Sequence, residues 1–329
     1  MDLKNKKVVV TGAGGFIGSH LVEELVRRGA HVRALVHYNS QNFWGNLEKV
    51  DKKILDRIEV VPGDILDQIF MKTFLKDIEV VFHLAALISI PFSYHAPLLF
   101  FKVNVEGTIN VLQACLENSV QKVVITSTSE VYGTARYTPI DEAHPLQGQS
   151  PYSASKIGAD KSAESFYCSF DLPVTIIRPF NTFGPRQSAR AVIPTIITQA
   201  LVKDEVHLGD VTPVRDLTYV IDIADGFIKI AESDASIGEE INIGYGTGYH
   251  VKNIVEEVQN LLGKKLTIVQ DGSRFRPEKS EVMELVCSYK KARELLQWSP
   301  EHSFQDGLRL TIEYLKDNLD SYKKGLYTI

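Results

Sequence analysis

The sequence is poor in cysteine, has no large excess of either charge, and contains no long apolar run. Its three cysteines, Cys115, Cys168 and Cys287, lie far apart, and no C-x-x-C pair occurs. This usage suggests neither a disulfide framework nor a zinc cluster, and it predicts a reducing, cytoplasmic location. The most apolar segment, residues 80–92, is interrupted by His83 and is too short to span a bilayer.

The charge balance argues against a nucleic-acid-binding protein. The chain has 36 lysines and arginines against 41 aspartates and glutamates, so its formal net charge is −5. A mildly acidic chain lacks the basic surface that binds phosphate backbones. Its first residues show no apolar core of a signal peptide, so we expect neither a targeting segment nor a membrane partner. The 329 residues suffice for one large domain or two modest ones.

The first half of the sequence alternates short β-branched runs with helical patterns. This alternation predicts an α/β fold with a Rossmann-type doubly wound parallel sheet and helices on both faces. We place residues 1–179 in a dinucleotide-binding domain, to which residues 216–244 return. Residues 180–215 and 245–329 form a smaller C-terminal α/β substrate domain. The strand-like runs are 7–11, 31–36, 58–61, 80–84, 123–126 and 174–178, and the helical patterns are 16–28, 103–117 and 155–170.

A glycine-rich turn follows the first predicted strand. The segment VVVTGAGGFIG gives Gly12, Gly15 and Gly18 the G-x-x-G-x-x-G spacing, with Phe16 and Ile17 at the start of a helix. Glycine lets the backbone approach a pyrophosphate, which binds at the positive end of the following helix. Because the flanking strand and helix are both present, the turn predicts dinucleotide binding rather than an ordinary strand-to-helix connection.

The end of the second strand bears on the choice of dinucleotide. An acidic residue there would hold the adenosine ribose and repel a 2′-phosphate, but the strand ends LVHYNS without an acid. Arg33, Asn39 and Ser40 are candidate ligands of the phosphate, so NADP is favoured, with NAD as the alternative. The competing interpretation is that Arg33 and His37 are simply solvated. Asp64 is a candidate partner of the adenine amine, or a residue that caps a turn.

Tyr152 and Lys156 are four residues apart, which places both side chains on one face of a helix. A free tyrosine has a pKa of about 10, and a nearby lysine and a cationic nicotinamide ring both favour the phenolate. Tyr152 would then take a proton from a substrate hydroxyl while hydride leaves the same carbon. Alone, this spacing usually marks a solvated helix face, but after a dinucleotide-binding half it indicates catalysis.

Five motifs occur in an order that is typical of one family. They are the glycine-rich turn, His83-Leu84-Ala85-Ala86, Asn104-Val105-x-Gly107-Thr108, Tyr152-x-x-x-Lys156 and Arg178-Pro179-x-Asn181-x-x-Gly184-Pro185. Together they resemble the extended short-chain dehydrogenase/reductase family, the NAD-dependent epimerases and dehydratases that modify nucleotide sugars. The resemblance covers essentially the whole chain and implies a homodimer. It also implies cofactor contacts from Ile65 and Ala85, in addition to the glycine-rich turn, Tyr152 and Lys156.

The triplet Thr128-Ser129-Glu130 bears on the reaction, because it follows a strand at the edge of the sheet where ligands bind. The resemblance implies that Thr128 contacts the sugar hydroxyl that is oxidised. A 4-epimerase needs no carboxylate here, whereas a 4,6-dehydratase needs a base for the C5 proton beside the C4 ketone. Glu130 fits that role, unless it is a strand-end residue that faces water.

The triplet departs from the usual dehydratase sequence, which has aspartate at the position of Ser129. Ser129, or a water that it orients, would then relay the proton to the departing C6 hydroxyl. The same triplet is typical of UDP-glucuronate decarboxylases, so it does not decide between the two reactions. The segment RFRPEKSEV at residues 274–282 is similar to soluble dehydratases that act on UDP-N-acetylglucosamine or its GDP analogue.

We therefore expect a nucleotide-sugar 4,6-dehydratase that converts UDP-N-acetylglucosamine, or a close analogue, to a 4-keto-6-deoxy sugar nucleotide with a tightly bound cofactor. The resemblance implies that Asn181, Arg215 and Arg276 contact the diphosphate, for which arginine is suited by its paired donors. Three alternatives stay open. They are a UDP-hexose or N-acetylhexosamine 4-epimerase, a UDP-glucuronate decarboxylase, and a non-catalytic dinucleotide-sensing protein.

Overall fold

A seven-stranded parallel sheet forms the centre of the molecule, and it confirms the predicted Rossmann-type fold. The computed structural model describes residues 1–322, so the last seven residues of the predicted segment 245–329 lie outside the described residues. The strands are β1 (Lys7–Thr11), β2 (His31–His37), β3 (Glu59–Gly63), β4 (Val80–His83), β5 (Lys122–Thr126), β6 (Val174–Pro179), β7 (Asn181–Phe183), β8 (Glu205–Leu208), β9 (Val214–Tyr219), β10 (Glu240–Ile243), β11 (Gly248–His250), β12 (Thr267–Gln270) and β13 (Glu284–Leu285).

The strand order of this sheet is β10-β6-β5-β4-β1-β2-β3, and every neighbouring pair is parallel. The chain order reverses between β1 and β4, which is where a doubly wound sheet opens a crevice for ligands. β1 and β5 carry continuous valine-rich runs that are buried on both faces, as expected for strands covered by helices on each side.

Helices cover both faces of the main sheet. On one face, α1 and α9 pack into a core that includes Leu21 and Phe227, and on the other, α3, α6 and α7 pack into a core that includes Phe74 and Val111. The helices are α1 (Phe16–Arg27), α2 (Lys52–Leu55), α3 (Gln68–Phe74), α4 (Ile90–His95), α5 (Pro97–Phe101), α6 (Gly107–Glu117), α7 (Pro151–Phe170), α8 (Val192–Ala200), α9 (Val220–Glu232), α10 (Val251–Leu262), α11 (Lys290–Leu296) and α12 (Phe304–Asp317).

A smaller layer at the carboxyl edge of the main sheet is built from β7, β8, β9, β11, β12 and β13 with the helices α8, α10 and α12. β9 pairs with β11, β13 and β7, and β8 pairs with β12. Their core contains Phe183, Ile196 and Phe304, and Phe16 and Ile17 of the glycine-rich turn pack against it. Within the segment 216–244, β10 is a strand of the main sheet and α9 packs against that sheet. β9, by contrast, belongs to the smaller layer.

Two local features differ from the sequence expectation or were absent from it. Helix α7 begins at Pro151 rather than at 155, because Ser150 and Ser153 form a reciprocal capping box ahead of it. A short π-helical turn, Lys102–Glu106, precedes α6, and its Asn104 bonds both backbone groups of Leu87 and the hydroxyl of Ser155. In residues 1–322, we find no helix with the length and apolar character that a membrane span requires.

Candidate active site at the carboxyl edge of the sheet

The glycine-rich turn has the backbone geometry that a pyrophosphate requires. Gly12 has φ +69°, and a Cβ there would lie 2.8 Å from the amide nitrogen of Ala85. A Cβ on Gly18 would overlap the carbonyl oxygen of Gly12. Gly15 is the N-cap of α1 and has no side chain to cap the first amides of the helix. Those amides have no intrahelical partners, so they are available to an anion.

A buried hydrogen-bond network lies beside this turn and joins the ends of β1 and β4. The Thr11 hydroxyl accepts hydrogen bonds from the amides of Leu84 and Ala85, both at 3.1 Å. His83 bonds the hydroxyls of Thr11 and Thr108 through its two ring nitrogens. Burial, with the charge of Lys156, lowers the pKa of His83 to about 3, so the ring is neutral. This network fixes Ala85 next to the glycine-rich turn, where the family resemblance places it.

Arg33 does not reach the predicted phosphate site. It lies four residues before the end of β2, and a strand advances about 3.3 Å per residue. Its Nε donates to the Glu59 carboxylate at 2.7 Å, and its Nη1 donates to the carbonyl oxygen of Phe74 at 2.7 Å. The interpretation of Arg33 as a 2′-phosphate ligand therefore loses its support, because the guanidinium binds neighbours below the edge of the sheet.

Asn39 and Ser40 do lie at the end of β2, in the turn that follows it. The Asn39 side chain donates to the carbonyl oxygen of Phe43 at 2.8 Å and accepts from the Phe43 amide at 3.0 Å, so it stabilises the turn. Ser40 is exposed. The chain then passes over the glycine-rich turn, where the amide of Asn46 donates to the carbonyl oxygen of Gly14 at 2.9 Å. Of the three predicted phosphate ligands, Asn39 and Ser40 lie in the turn after β2, and both are uncharged.

Asp64 and Ile65 follow β3 at the same edge. The Asp64 carboxylate accepts from the Leu66 amide at 2.9 Å, which is the turn-capping role that the sequence left open. Ile65 is buried, and its carbonyl oxygen accepts from the side chain of Asn110 at 3.1 Å. A Cβ on Gly107 would lie 2.5 Å from the Ile65 side chain, so Ile65 packs against the start of α6.

Tyr152 and Lys156 lie on the first turns of α7, and both are buried. Burial raises the pKa of Tyr152 above its ordinary value, although a hydrogen bond with Thr128 opposes the shift. The Lys156 ammonium donates to the carbonyl oxygen of Thr126 at 2.5 Å, and burial lowers its pKa to about 8 while Asp160 raises it. In this chain alone the protonated phenol is favoured, so formation of the phenolate depends on positive charge in the site.

The Thr128-Ser129-Glu130 triplet lies directly after β5, with a short 3-10 turn over Ser129–Tyr132. The Thr128 hydroxyl accepts from the Glu130 amide at 3.2 Å, which fixes the turn. The Glu130 residue is only 8% exposed. Its negative charge adds, after burial, to the raised pKa of Tyr152. The interpretation of Glu130 as a water-facing residue is therefore disfavoured.

Three candidate diphosphate ligands come from separate segments. Asn181 has a buried side-chain oxygen without a hydrogen-bond partner. Buried polar atoms are nearly always hydrogen-bonded, so this oxygen is suited to bind a ligand. Arg215 is 8% exposed, and it shares the carboxylate of Glu281 with Arg276 at 3.2 and 3.4 Å. Burial lowers the pKa of Arg215, and the charges of Glu130 and Glu281 oppose that shift.

Sequence reasoning missed Asp160 and gave no separate role to Arg178. Both residues are fully buried, and Arg178 Nη2 lies 3.1 Å from Asp160 Oδ2. The same carboxylate oxygen accepts from the hydroxyl of Ser127 at 2.7 Å, which ties α7 to the end of β5. The sequence signal was the position of Asp160, four residues after Lys156 on the same helix face.

Sequence reasoning also missed Tyr94, which lies outside the motifs, and gave no role to Glu281, although Glu281 belongs to the segment 274–282. Tyr94 is on α4 and Glu281 precedes β13, so no local spacing relates them to Glu130. Burial raises the pKa of Tyr94, and the charges of Glu281 and Glu130 add to that effect. Tyr94 thus senses the charges of both Glu281 and Glu130.

Known proteins match almost the entire chain. A family model described as GDP-mannose 4,6 dehydratase matches residues 9–311. A UDP-N-acetyl-alpha-D-glucosaminuronate decarboxylase of Bacillus cytotoxicus is 31% identical over 322 residues, which is 95% of this chain and 98% of the relative. A putative UDP-glucose 4-epimerase of Methanocaldococcus jannaschii is 30% identical over 317 residues, which is 94% of this chain and 99% of the relative.

A solved structure shows the same similarity. DesIV, a dTDP-glucose 4,6-dehydratase from Streptomyces venezuelae with NAD and TYD bound, superimposes with a TM-score of 0.85 and 29% identity, covering 96% of this chain and 99% of its own. Three chemistries thus occur among similar proteins, so the fold alone does not select one. With the family model and the ordered motifs in agreement, the chain belongs to the extended short-chain dehydrogenase/reductase family, the NAD-dependent epimerases, dehydratases and decarboxylases of nucleotide sugars.

Proposed function

We propose that this protein is a nucleotide-sugar 4,6-dehydratase that converts UDP-N-acetylglucosamine, or a close analogue, to its 4-keto-6-deoxy product. The observation that carries the proposal is the burial of Glu130 on the turn directly after β5, together with the effect of its charge on Tyr152. Burying a carboxylate is unfavourable, and the charge of Arg215 offsets part of that cost. A 4-epimerase has no step that needs this group, whereas removal of the C5 proton requires a base in that position.

Each side chain of the candidate site has a separate role in the proposed reaction. Tyr152 takes the proton of the C4 hydroxyl, Thr128 bonds the same oxygen, and the Lys156 charge stabilises the phenolate. The bound nicotinamide supplies the hydride acceptor at C4 and later the hydride donor at C6. Glu130 removes the C5 proton, which the new C4 ketone has made acidic, and water leaves from C6 with a proton that Ser129 relays from solvent. Tyr152 releases to solvent the proton that it took from the C4 hydroxyl, so the protons balance over the turnover. Glu130 then returns a proton to C5.

The cofactor we propose is NAD, which was the alternative in the sequence analysis, rather than NADP. Arg33, the one cation predicted to bind a 2′-phosphate, is held by Glu59 and the Phe74 carbonyl. The side chain of Asn39 is committed to its own turn. The NAD bound in DesIV agrees with this choice. Because oxidation and reduction balance within one turnover, we expect the cofactor to stay bound.

Decarboxylation is the strongest competing reaction, since the triplet and one relative both point to it. That reaction would need a cation directed at a C6 carboxylate, and Arg215 is the candidate. Under the proposed function, Arg215 binds the substrate diphosphate instead, together with Arg276, with which it shares the Glu281 carboxylate. Dehydration is favoured because it needs no cation directed at C6.

The test is incubation of the purified protein with UDP-N-acetylglucosamine and no added cofactor, followed by mass spectrometry of the product. Loss of one water supports the proposal. An unchanged mass with inverted C4 identifies an epimerase, and carbon dioxide from UDP-glucuronate, without any change of hexosamine substrates, identifies a decarboxylase. Binding of NAD without turnover of any of these substrates identifies a dinucleotide sensor.

The proposal retains two further expectations from the sequence, the homodimer and the cytoplasmic location. A candidate contact surface exists on neighbouring helices, where Leu98 and Phe101 of α5 and Ile109 of α6 are exposed. Exposed apolar side chains in one region often mark a protein contact. Light scattering of the purified protein tests the dimer, and a monomeric mass would reject it.

A further inference from the structure

One carboxylate in the site has no role in the chemistry above. Glu281 Oε1 accepts from Arg215 Nη2 at 3.2 Å and from Arg276 Nη1 at 3.4 Å, so a single oxygen bridges the two arginines. The side chains of Arg215 and Glu281 are only 9% and 15% exposed, and the contact is therefore not an ordinary surface ion pair. The single charge of Glu281 therefore offsets part of the positive charge of the two arginines proposed for the diphosphate.

The position of Glu281 is fixed through its backbone neighbours. The preceding Ser280 donates its hydroxyl to the carbonyl oxygen of Gln149 at 2.6 Å and bonds the Tyr94 hydroxyl at 2.7 Å. The Gln149 side chain donates to the carbonyl oxygen of Glu281 at 3.4 Å. The backbone here is anchored to the segment that begins α7, so loss of the bridge requires side-chain movement and no movement of the Glu281 backbone.

A diphosphate and the Glu281 carboxylate compete for the same donors. Arginine forms its strongest hydrogen bonds with anionic oxygens, often two at once. A diphosphate bound to Arg215 and Arg276 would lie next to the Glu281 carboxylate, and like charges close together in a buried site destabilise each other. Glu130, which also faces Arg215, adds a second negative charge. Retention of the Glu281 bridge therefore opposes diphosphate binding.

We propose that Glu281 is a displaceable counter-ion, which holds Arg215 and Arg276 in the ligand-free enzyme and is displaced from them by the substrate diphosphate. The inference rests on the proposed function, because that function supplies a nucleoside diphosphate as the ligand. Glu281 is then a positioning residue that sets the affinity of the site, since each binding event includes the loss of its bridge. Ligand affinity is reduced by the free energy of that bridge.

The experiment compares binding of UDP and of inorganic pyrophosphate to the wild type and to Glu281→Gln by calorimetry. Glutamine keeps the shape of the side chain and removes its charge. We expect Glu281→Gln to bind both probes about tenfold more tightly, or about 1.4 kcal/mol, and Glu281→Asp, which keeps the charge, to remain near the wild type. Glu278→Gln is the matched control, because Glu278 is an exposed acid of the same loop. Its affinity should stay close to that of the wild type.

A kinetic measurement separates this role from a structural one. Glu281→Gln should lower KM for the nucleotide sugar without raising kcat, since tighter binding of the diphosphate is equal in the ground state and the transition state. In the Arg276→Gln background, Glu281→Gln should increase the affinity for the diphosphate by a smaller factor. One of the two arginines for which Glu281 and the diphosphate compete is then missing. Melting temperatures check folding, and Glu281→Ala is a second neutral variant if the glutamine variant does not fold.

Equal or weaker binding by the neutral variants overturns the inference and indicates that Glu281 orients the arginines permanently. The proposed function survives that result if the wild type still dehydrates UDP-N-acetylglucosamine. A wild type that binds neither UDP nor pyrophosphate overturns both. An equal gain in Glu278→Gln also overturns the inference, because the effect would then arise from the net charge of the loop.

Discussion

The variant Glu130→Gln would separate the two half-reactions of the proposed mechanism. Glutamine has nearly the same shape as glutamate, and the bond that fixes the turn, from the Glu130 amide to the Thr128 hydroxyl at 3.2 Å, does not involve the side chain. The fold and the substrate pocket should therefore remain. Only the proton acceptor beside the sugar is lost.

The magnitude follows from the role assigned to this carboxylate. Loss of a positioned general base slows the step it serves by about 10²–10⁴-fold, which is about 3–5 kcal/mol of transition-state stabilisation. Oxidation at C4 should persist, because Tyr152 performs it. The Glu130 charge contributes, after burial, to the raised pKa of Tyr152. Removing that charge lowers this pKa, so the acid limb of the oxidation step should move to lower pH.

The assay is a single turnover in which the absorbance of reduced nicotinamide and the mass of the product are followed together. Glu130→Gln should accumulate reduced cofactor and form little dehydrated product. Glu142→Gln is a control, since Glu142 lies outside the site and accepts from the Asn242 amide at 2.8 Å, a bond that glutamine retains. Dehydration at the wild-type rate by Glu130→Gln would refute its role as the base. Loss of both half-reactions would refute the separation and indicate a structural role.

Three further predictions test the surroundings of the site. Arg33→Ala should leave the ratio of NAD to NADP affinity unchanged, and selective loss of NADP binding would contradict its placement on Glu59. Burial lowers the pKa of His20 and His83 to about 3. Near pH 6.5 these two histidines therefore bind protons in the unfolded chain but stay neutral in the folded chain. The free energy of unfolding should therefore fall below pH 6.5, by roughly 2 kcal/mol per histidine at pH 5, and a flat acid limb in denaturant titrations would contradict this. Asp160→Asn removes a partner of the buried Arg178 and should reduce the free energy of unfolding by about 3 kcal/mol or more; a urea titration showing a loss under about 1 kcal/mol would contradict it.

Local patterns were sufficient for the parts of the site that lie within one segment. The glycine spacing places Gly12, Gly15 and Gly18 on a single turn, and the Tyr152–Lys156 spacing places both residues on a single helix face. Strand and helix periods are set by backbone geometry, so residues close in sequence have predictable relative positions. For the same reason the alternation of strands and helices was enough to predict the doubly wound sheet.

Only the tertiary structure decided which distant residues meet. Arg33 is near Asn39 in sequence, yet an extended strand carries its side chain away from the edge of the sheet. Conversely, Glu130, Arg215 and Glu281 come from separate segments and converge because the smaller layer packs against the carboxyl ends of the parallel strands. A linear sequence fixes spacing along one element, whereas the packing of one element on another determines which charges face each other and which remain buried.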